Sequence, residues 1–181
     1  MSMIVMACSA TKRDDSGELP AIDRYDGPMW RTLRAALAEL PESARPEVWF
    51  LSARYGFHPA TLPIVNYDGV LSEARARDLL RMPSSNFNTF AMAVAEHAQV
   101  LFAGGWLYRD TMRRAAGPTP AAISETDGSG GIGEHRAQLR AWIAEHCRPR
   151  AKVRAIVCGA ENLSSQDMGT LADWIAEELA R

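Results

Sequence analysis

Short apolar runs recur along the chain, separated by longer stretches whose apolar residues fall at helical spacing, and this alternation points to a sheet layered with helices. Strands are predicted at Met3 to Ala7, Glu47 to Ser52, Gln99 to Ala103 and Val153 to Cys158, with a weaker candidate at Ala121 to Glu125. Between them Pro28 opens a helix striped by Trp30, Leu33, Leu37 and Leu40, at a position where its missing N–H costs nothing. Ser72 starts a second helix, with Ala74, Leu79 and Leu80 inside. A serine or asparagine caps a third over Phe87 to His97, and a fourth over Trp106 to Ala116 is closed by Gly117 and Pro118. A fifth, Gly133 to Cys147, turns Leu139, Trp142 and Ile143 inward, and Ser164 or Ser165 caps a last one ending at Leu179. The expected fold is a single α/β domain over residues 1–181, three-layered, with a mostly parallel sheet of four or five strands and helices on both faces.

Composition narrows the function classes. With 181 residues, 47% of them hydrophobic, the chain can bury a full core without staples. No apolar run approaches the roughly 18 residues of a membrane span, and the first residues lack the pattern of a signal peptide, so a cytoplasmic protein without a membrane partner is expected. Cys8, Cys147 and Cys158 cannot all pair, and none stands at zinc-ligand spacing; neither a disulfide, nor a metal, nor another cofactor is expected. The net charge of -2 argues against non-specific coating of nucleic acid but says little about a local groove. Of the 20 cationic residues only Lys12 and Lys152 are lysines. Arginine suits bidentate phosphate contacts, although a GC-rich genome yields the same bias.

Polar and glycine-rich residues gather just after the predicted strand ends, in "CSATKR", "SARYGF", "GGWLYR" and "CGAENLSS". Ligands of open α/β sheets bind there. Cys8 reads as a small buried hydrophobe more readily than as a nucleophile, and Ser9 and Thr11 serve as turn caps or as ligand contacts. Lys12 suits a phosphate or a carboxylate. Ser52, Arg54 and Tyr55, beside Gly56, offer a hydroxyl, a fork of donors and an aromatic face, or else a tight turn with one surface arginine. Tyr67 and Asp68 follow in "VNYDG"; Asp68 is the candidate catalytic carboxylate, with an Asp-Gly turn as its alternative. Gly104 and Gly105 permit close backbone approach ahead of Tyr108 and Arg109. "DGSGGIGEHR" can expose successive amides to a phosphate, or serve equally well as a flexible lid or an ordinary linker, with Glu134 and His135 on the helix start; it matches neither the dinucleotide fingerprint nor a P-loop.

"CSATK" after the first strand, "YDGPMWR" at a helix start, and "LSARYG" followed by "YD" together resemble the peroxide-stress protein YaaA-like superfamily and its small bacterial and phage relatives. Their pattern reads Cys-Ser-x-x-Lys, Tyr-x-Gly-x-Phe and Leu-Ser-Ala-Lys-Tyr-Gly, and "GIGEHRAQLRAWI" is similar to a Gly-x-Gly helix start in them. The resemblance runs from Cys8 to about Trp142 on short motifs. Trp30 replaces the usual phenylalanine, and Arg54 the usual lysine, which keeps the charge but removes amine chemistry. The resemblance implies a role in nucleic-acid metabolism and marks Cys8, Ser9, Lys12, Tyr25, Gly27, Ser52, Arg54, Tyr55, Gly56, Tyr67 and Asp68.

Three functions follow as expectations. The first is an enzyme acting at the N-glycosidic bond of a modified base in DNA or a nucleotide, with aromatic faces for the base, Arg and Lys for phosphate, and Asp68 or Glu134 as the carboxylate. In duplex DNA the arginines of "YRDTMRR" would hold flanking phosphates. The second is a non-catalytic DNA-binding stress or phage-defence protein, and the third a nucleotide-sensing module.

Overall fold

The computed structural model describes residues 1–127 and 129–147. In chain order these form β1 (Ser2–Ala7), β2 (Leu19–Pro20), α1 (Ala21–Arg24), α2 (Pro28–Ala38), β3 (Glu47–Ser52), β4 (Gly56–Pro59) and β5 (Pro63–Ile64). Then come α3 (Glu73–Leu79), α4 (Phe87–Glu96), β6 (Gln99–Ala103), α5 (Trp106–Ala116), β7 (Ala122–Glu125) and α6 (Gly131–His146). The strand expected at Val153 to Cys158, Gly159 and the last helix lie outside the described residues.

The sheet runs β4-β3-β1-β6-β7; β3, β1, β6 and β7 are parallel and β4 lies antiparallel at the edge. Met3 to Met6 are wholly buried because both faces of the central strand are covered, the usual state of a parallel sheet. Ile4, Met6, Phe50 and Leu101 pack with Trp30 and Leu33 of α2 and Leu139 and Trp142 of α6. Met3, Val5, Leu51 and Phe102 point the other way, into Leu79 of α3, Phe90 of α4 and Met112 of α5. The fold is α/β with three layers, as the alternation predicts.

Local differences have local causes. "SARYGF" contains a strand: Ser52 Oγ accepts the amides of Arg54 and Tyr55 at 3.0 and 3.2 Å, closing a turn that returns the chain as β4. Gly56 sits there at φ +79°, and a Cβ on it would lie 2.4 Å from the Ser85 carbonyl oxygen, so this glycine serves the turn. In α3, Ser72 caps as expected, but Ala76 is buried beside Leu79 and Ala74 is exposed. Asn86 stands before α4 with its side chain donating to the Phe57 carbonyl at 3.0 Å instead of capping.

The chain leaves β1 through α2 on one face to reach β3, then returns to the other side of β1 as β6 and leaves through α5 on the opposite face. The connections therefore diverge between β1 and β6, opening a crevice at their carboxyl ends.

Candidate functional site

Parallel register assembles the strand ends. Ala7 pairs with Leu51 and Met6 with Ala103, so Cys8 follows beside Ser52 and Ala7 beside Gly104. The Cys8 amide donates to Leu51 O at 2.9 Å. Cys8, Ser52 and Gly104 thus share one sheet edge; the sequence joins Gly159 to this set, and Gly159 lies outside the described residues.

A cleft of about 400 Å³ opens at the divergence point, with Cys8 and Ser9 from β1, Gly104 and Gly105 from β6, and Ile132 and His135 from α6 among its walls. Gly27, Pro28 and Met29 bring the start of α2 to the same space. The N-caps of α2, α5 and α6 are Gly27, Gly105 and Gly130, and none supplies a side-chain cap. The leading amides of each helix therefore have no partner within the helix, and the positive ends of three helix dipoles border one cavity. Such an environment favours an anion. Gly27 lets Ser9 sit close, since a Cβ there would fall 2.2 Å from Ser9 Oγ in its present rotamer. The Trp30 indole donates to Ala7 O at 2.9 Å and ties α2 to the strand end.

Cys8 also belongs to a cluster of phenols. Its Sγ lies 3.1 Å from Tyr108 Oη, which accepts the Leu71 amide at 3.3 Å. Tyr67 Oη is 2.7 Å from both Tyr25 Oη and Ser52 Oγ. Burial, chiefly, pushes the phenols of Tyr25, Tyr67 and Tyr108 well above the ordinary tyrosine range, with the Cys8 thiol adding to the effect, so they stay protonated. Lys12 Nζ sits 4.3 Å from the centre of the Tyr67 ring, and the Arg54 guanidinium lies 5.8 Å from it. Tyr55 meets Tyr67 edge-on at 5.3 Å. Lys12 and Arg54 flank one aromatic ring, but neither is on the cleft wall.

Other expected residues fall elsewhere. Asp68 is exposed immediately after buried Tyr67, and Glu134 is exposed on α6, its Oε1 accepting from Gln138 Nε2 at 3.4 Å. Among the described residues no carboxylate lines the cleft. The arginines of "YRDTMRR" are already paired: Arg109 donates to Thr126 O and lies 3.6 Å from Glu125, Arg113 pairs with Glu125 and Asp110, and Arg114 with Asp110. The three arginines share two carboxylates, Asp110 on α5 and Glu125 on β7, and Arg113 and Arg114 stay half-exposed. No three His, Cys, Asp or Glu side chains stand together as a metal site among the described residues.

Sequence reasoning missed Arg24. Fully buried, it donates to the carbonyls of Arg13 at 2.8 Å, Asp15 at 2.9 Å, Gly17 at 2.5 Å and Ile64 at 3.3 Å, folding the loop that carries Lys12 back onto β5. A lone arginine inside "AIDRYD" was its only signal. Comparison with family models, with curated proteins and with solved structures returned no match.

Proposed function

We propose that the protein binds a nucleotide, free or within DNA, with its phosphate against the three helix starts of the β1/β6 cleft, and acts at the N-glycosidic bond to the base. The observation that carries the binding is the meeting of three uncapped helix N-termini at the point where the sheet connections diverge. Trp106, 65% exposed at the first position of α5, supplies an aromatic face next to Gly105. The reaction class comes from the likeness of "CSATK" and "LSARYG" to the YaaA-like superfamily. Hydrolysis adds water to the anomeric carbon and releases the base, and a carboxylate stabilises the sugar cation that develops.

This reading assigns Asp68 to that role, with Glu134 in reserve. Asp68→Asn keeps the shape and loses the charge, so substrate binding persists while base release slows at least about 100-fold in single turnover. Full activity in Asp68→Asn with loss in Glu134→Gln transfers the role to α6; full activity in both removes carboxylate catalysis from these positions.

A second reading, a nucleotide-sensing module without chemistry, is favoured by the lack of a carboxylate on the described cleft wall. Incubation with DNA carrying normal and hypermodified bases, followed by mass analysis for free base and abasic sites, separates the two. Binding with neither product supports the sensor.

A further inference from the structure

α2 and α6 pack side by side, and both begin at the cleft. A groove of about 550 Å³ runs along the seam between them. It starts one residue beyond the cleft wall on each helix, at Arg31 after Trp30 and at Arg136 after His135. Its lining combines apolar Ala35, Ala36, Leu40 and Ile143 with Arg31, Arg136 and Arg140, and Glu39 is the one carboxylate among the described lining residues. Arg31 and Arg140 are exposed; Arg31 lies 3.9 Å from Asp26, a carboxylate that Arg34 already holds at 2.6 Å. Arg136 donates to Thr32 Oγ1 at 2.8 Å, and among the described residues neither Arg136 nor Arg140 has a carboxylate within ion-pair distance.

This contrasts with α5, where every arginine has an acidic partner. In a chain whose net charge is -2, Arg31, Arg136 and Arg140 form a positive stripe in which, among the described residues, only Arg31 has a carboxylate within ion-pair distance. Their order along the helices matters too. From Arg31 to Ala38 α2 runs about 10 Å along its axis and the groove continues to Leu40, so it accepts something elongated rather than a single ion. A lining that mixes apolar side chains with guanidinium groups suits a single nucleic-acid strand, whose sugars and bases meet the apolar residues while its phosphates meet the guanidinium forks.

We propose that the α2/α6 groove is the path of a single nucleic-acid strand whose target nucleotide occupies the β1/β6 cleft. The substrate class is therefore a polynucleotide rather than a free nucleotide, a conclusion that rests on the reading of the cleft given above. The strand leaves the cleft along Arg31, Arg136 and Arg140, and the paired arginines of α5 stay off its path.

The test uses the full chain, a homopolymeric DNA strand of about 12 nucleotides and, separately, a nucleoside 5′-monophosphate. R31A/R140A is the test variant, because both side chains are exposed and neither is in the cleft; R113A/R114A is the control on α5. For single strands each phosphate contact contributes about 0.7 to the slope of log affinity against log salt, so the double variant lowers that slope by about 1.4. At low salt the strand binds roughly tenfold or more weakly, the monophosphate binds as before, and the α5 control matches the parent. Replacement of Arg31 and Arg140 by lysine retains most of the slope, because the charge remains.

An unchanged slope in R31A/R140A, with monophosphate binding intact, overturns the groove and leaves the cleft reading standing. Strand binding that responds to the groove variant in a parent chain that takes no monophosphate overturns the cleft reading, and with it the coupling of the two sites. Equal binding of a polyglutamate peptide, lost in the same variant, reassigns the groove to an acidic protein segment.

Discussion

Tyr67 joins more of the site than any other side chain. Its hydroxyl meets Tyr25 and Ser52, its ring carries Lys12, and Tyr55 packs edge-on against it. Tyr67→Phe keeps the ring and removes the hydroxyl, leaving the fully buried Tyr25 phenol without that partner. The expected cost is about 1–3 kcal/mol, read from the urea midpoint, with nucleotide binding nearly unchanged. A cost below about 0.5 kcal/mol would mean that the phenol cluster holds no part of the fold together. Lys12, Ser52, Arg54, Tyr55 and Tyr67 were legible in the sequence as a polar and aromatic set following strands, and Tyr25 was marked only by the resemblance to the YaaA-like superfamily. Which hydroxyl meets which was not, since Ser52 and Tyr25 lie on separate segments and only the folded sheet brings them to Tyr67. Arg24 was illegible for a related reason, because its partners are backbone carbonyls that carry no residue signature.

At the scale of elements, the helices of the described chain were largely readable from period and breakers, and what happens at their starts was not. The stripe of Trp30, Leu33 and Leu37 identified α2, and the Gly117 and Pro118 stop identified the end of α5. That α2, α5 and α6 begin on uncapped glycines around one cleft depends on where the strands deliver them. Trp106 illustrates the difference: sequence places it at a helix start, and the structure leaves it 65% exposed beside the cleft glycines. Trp106→Ala should weaken nucleotide binding by about 1–3 kcal/mol, the scale of losing one base-stacking face, while titration calorimetry and thermal melting separate affinity from stability. Unchanged affinity with a lower melting temperature would make Trp106 a packing residue. β4 escaped the sequence reading because its turn is built from Arg54, Tyr55 and Gly56, which read equally well as a binding loop.

The whole molecule carries its protonated phenols as a shared sensitivity to alkali. Burial raises Tyr25, Tyr67 and Tyr108 above their ordinary value of 10.0 and pushes the Cys147 thiol up from 9.0 to about 11. In each case the native state keeps a proton that the unfolded chain releases, so stability is full below the unfolded value and falls as pH rises beyond it. The urea midpoint should hold near neutrality and drop from about pH 9 upward, less steeply in Tyr67→Phe. A midpoint that stays level to about pH 11 would show that these groups are as solvated in the folded state as in the unfolded one.

Taken by itself the sequence determined the class of fold, the positions of most helices and four of the five sheet strands, and the gathering of unusual residues after strand ends, because periodicity, caps and glycine breaks act over a few residues. Tertiary structure alone decided that β1 lies between β3 and β6, that the cleft therefore opens between β1 and β6, and that the arginines of α5 stand beside Asp110 and Glu125 while Arg136 and Arg140 of the α2/α6 seam meet no carboxylate among the described residues. Strand order and ion pairing of this kind depend on hydrogen bonds and charges that meet across long stretches of chain, and no local pattern records which of the possible partners will be adjacent.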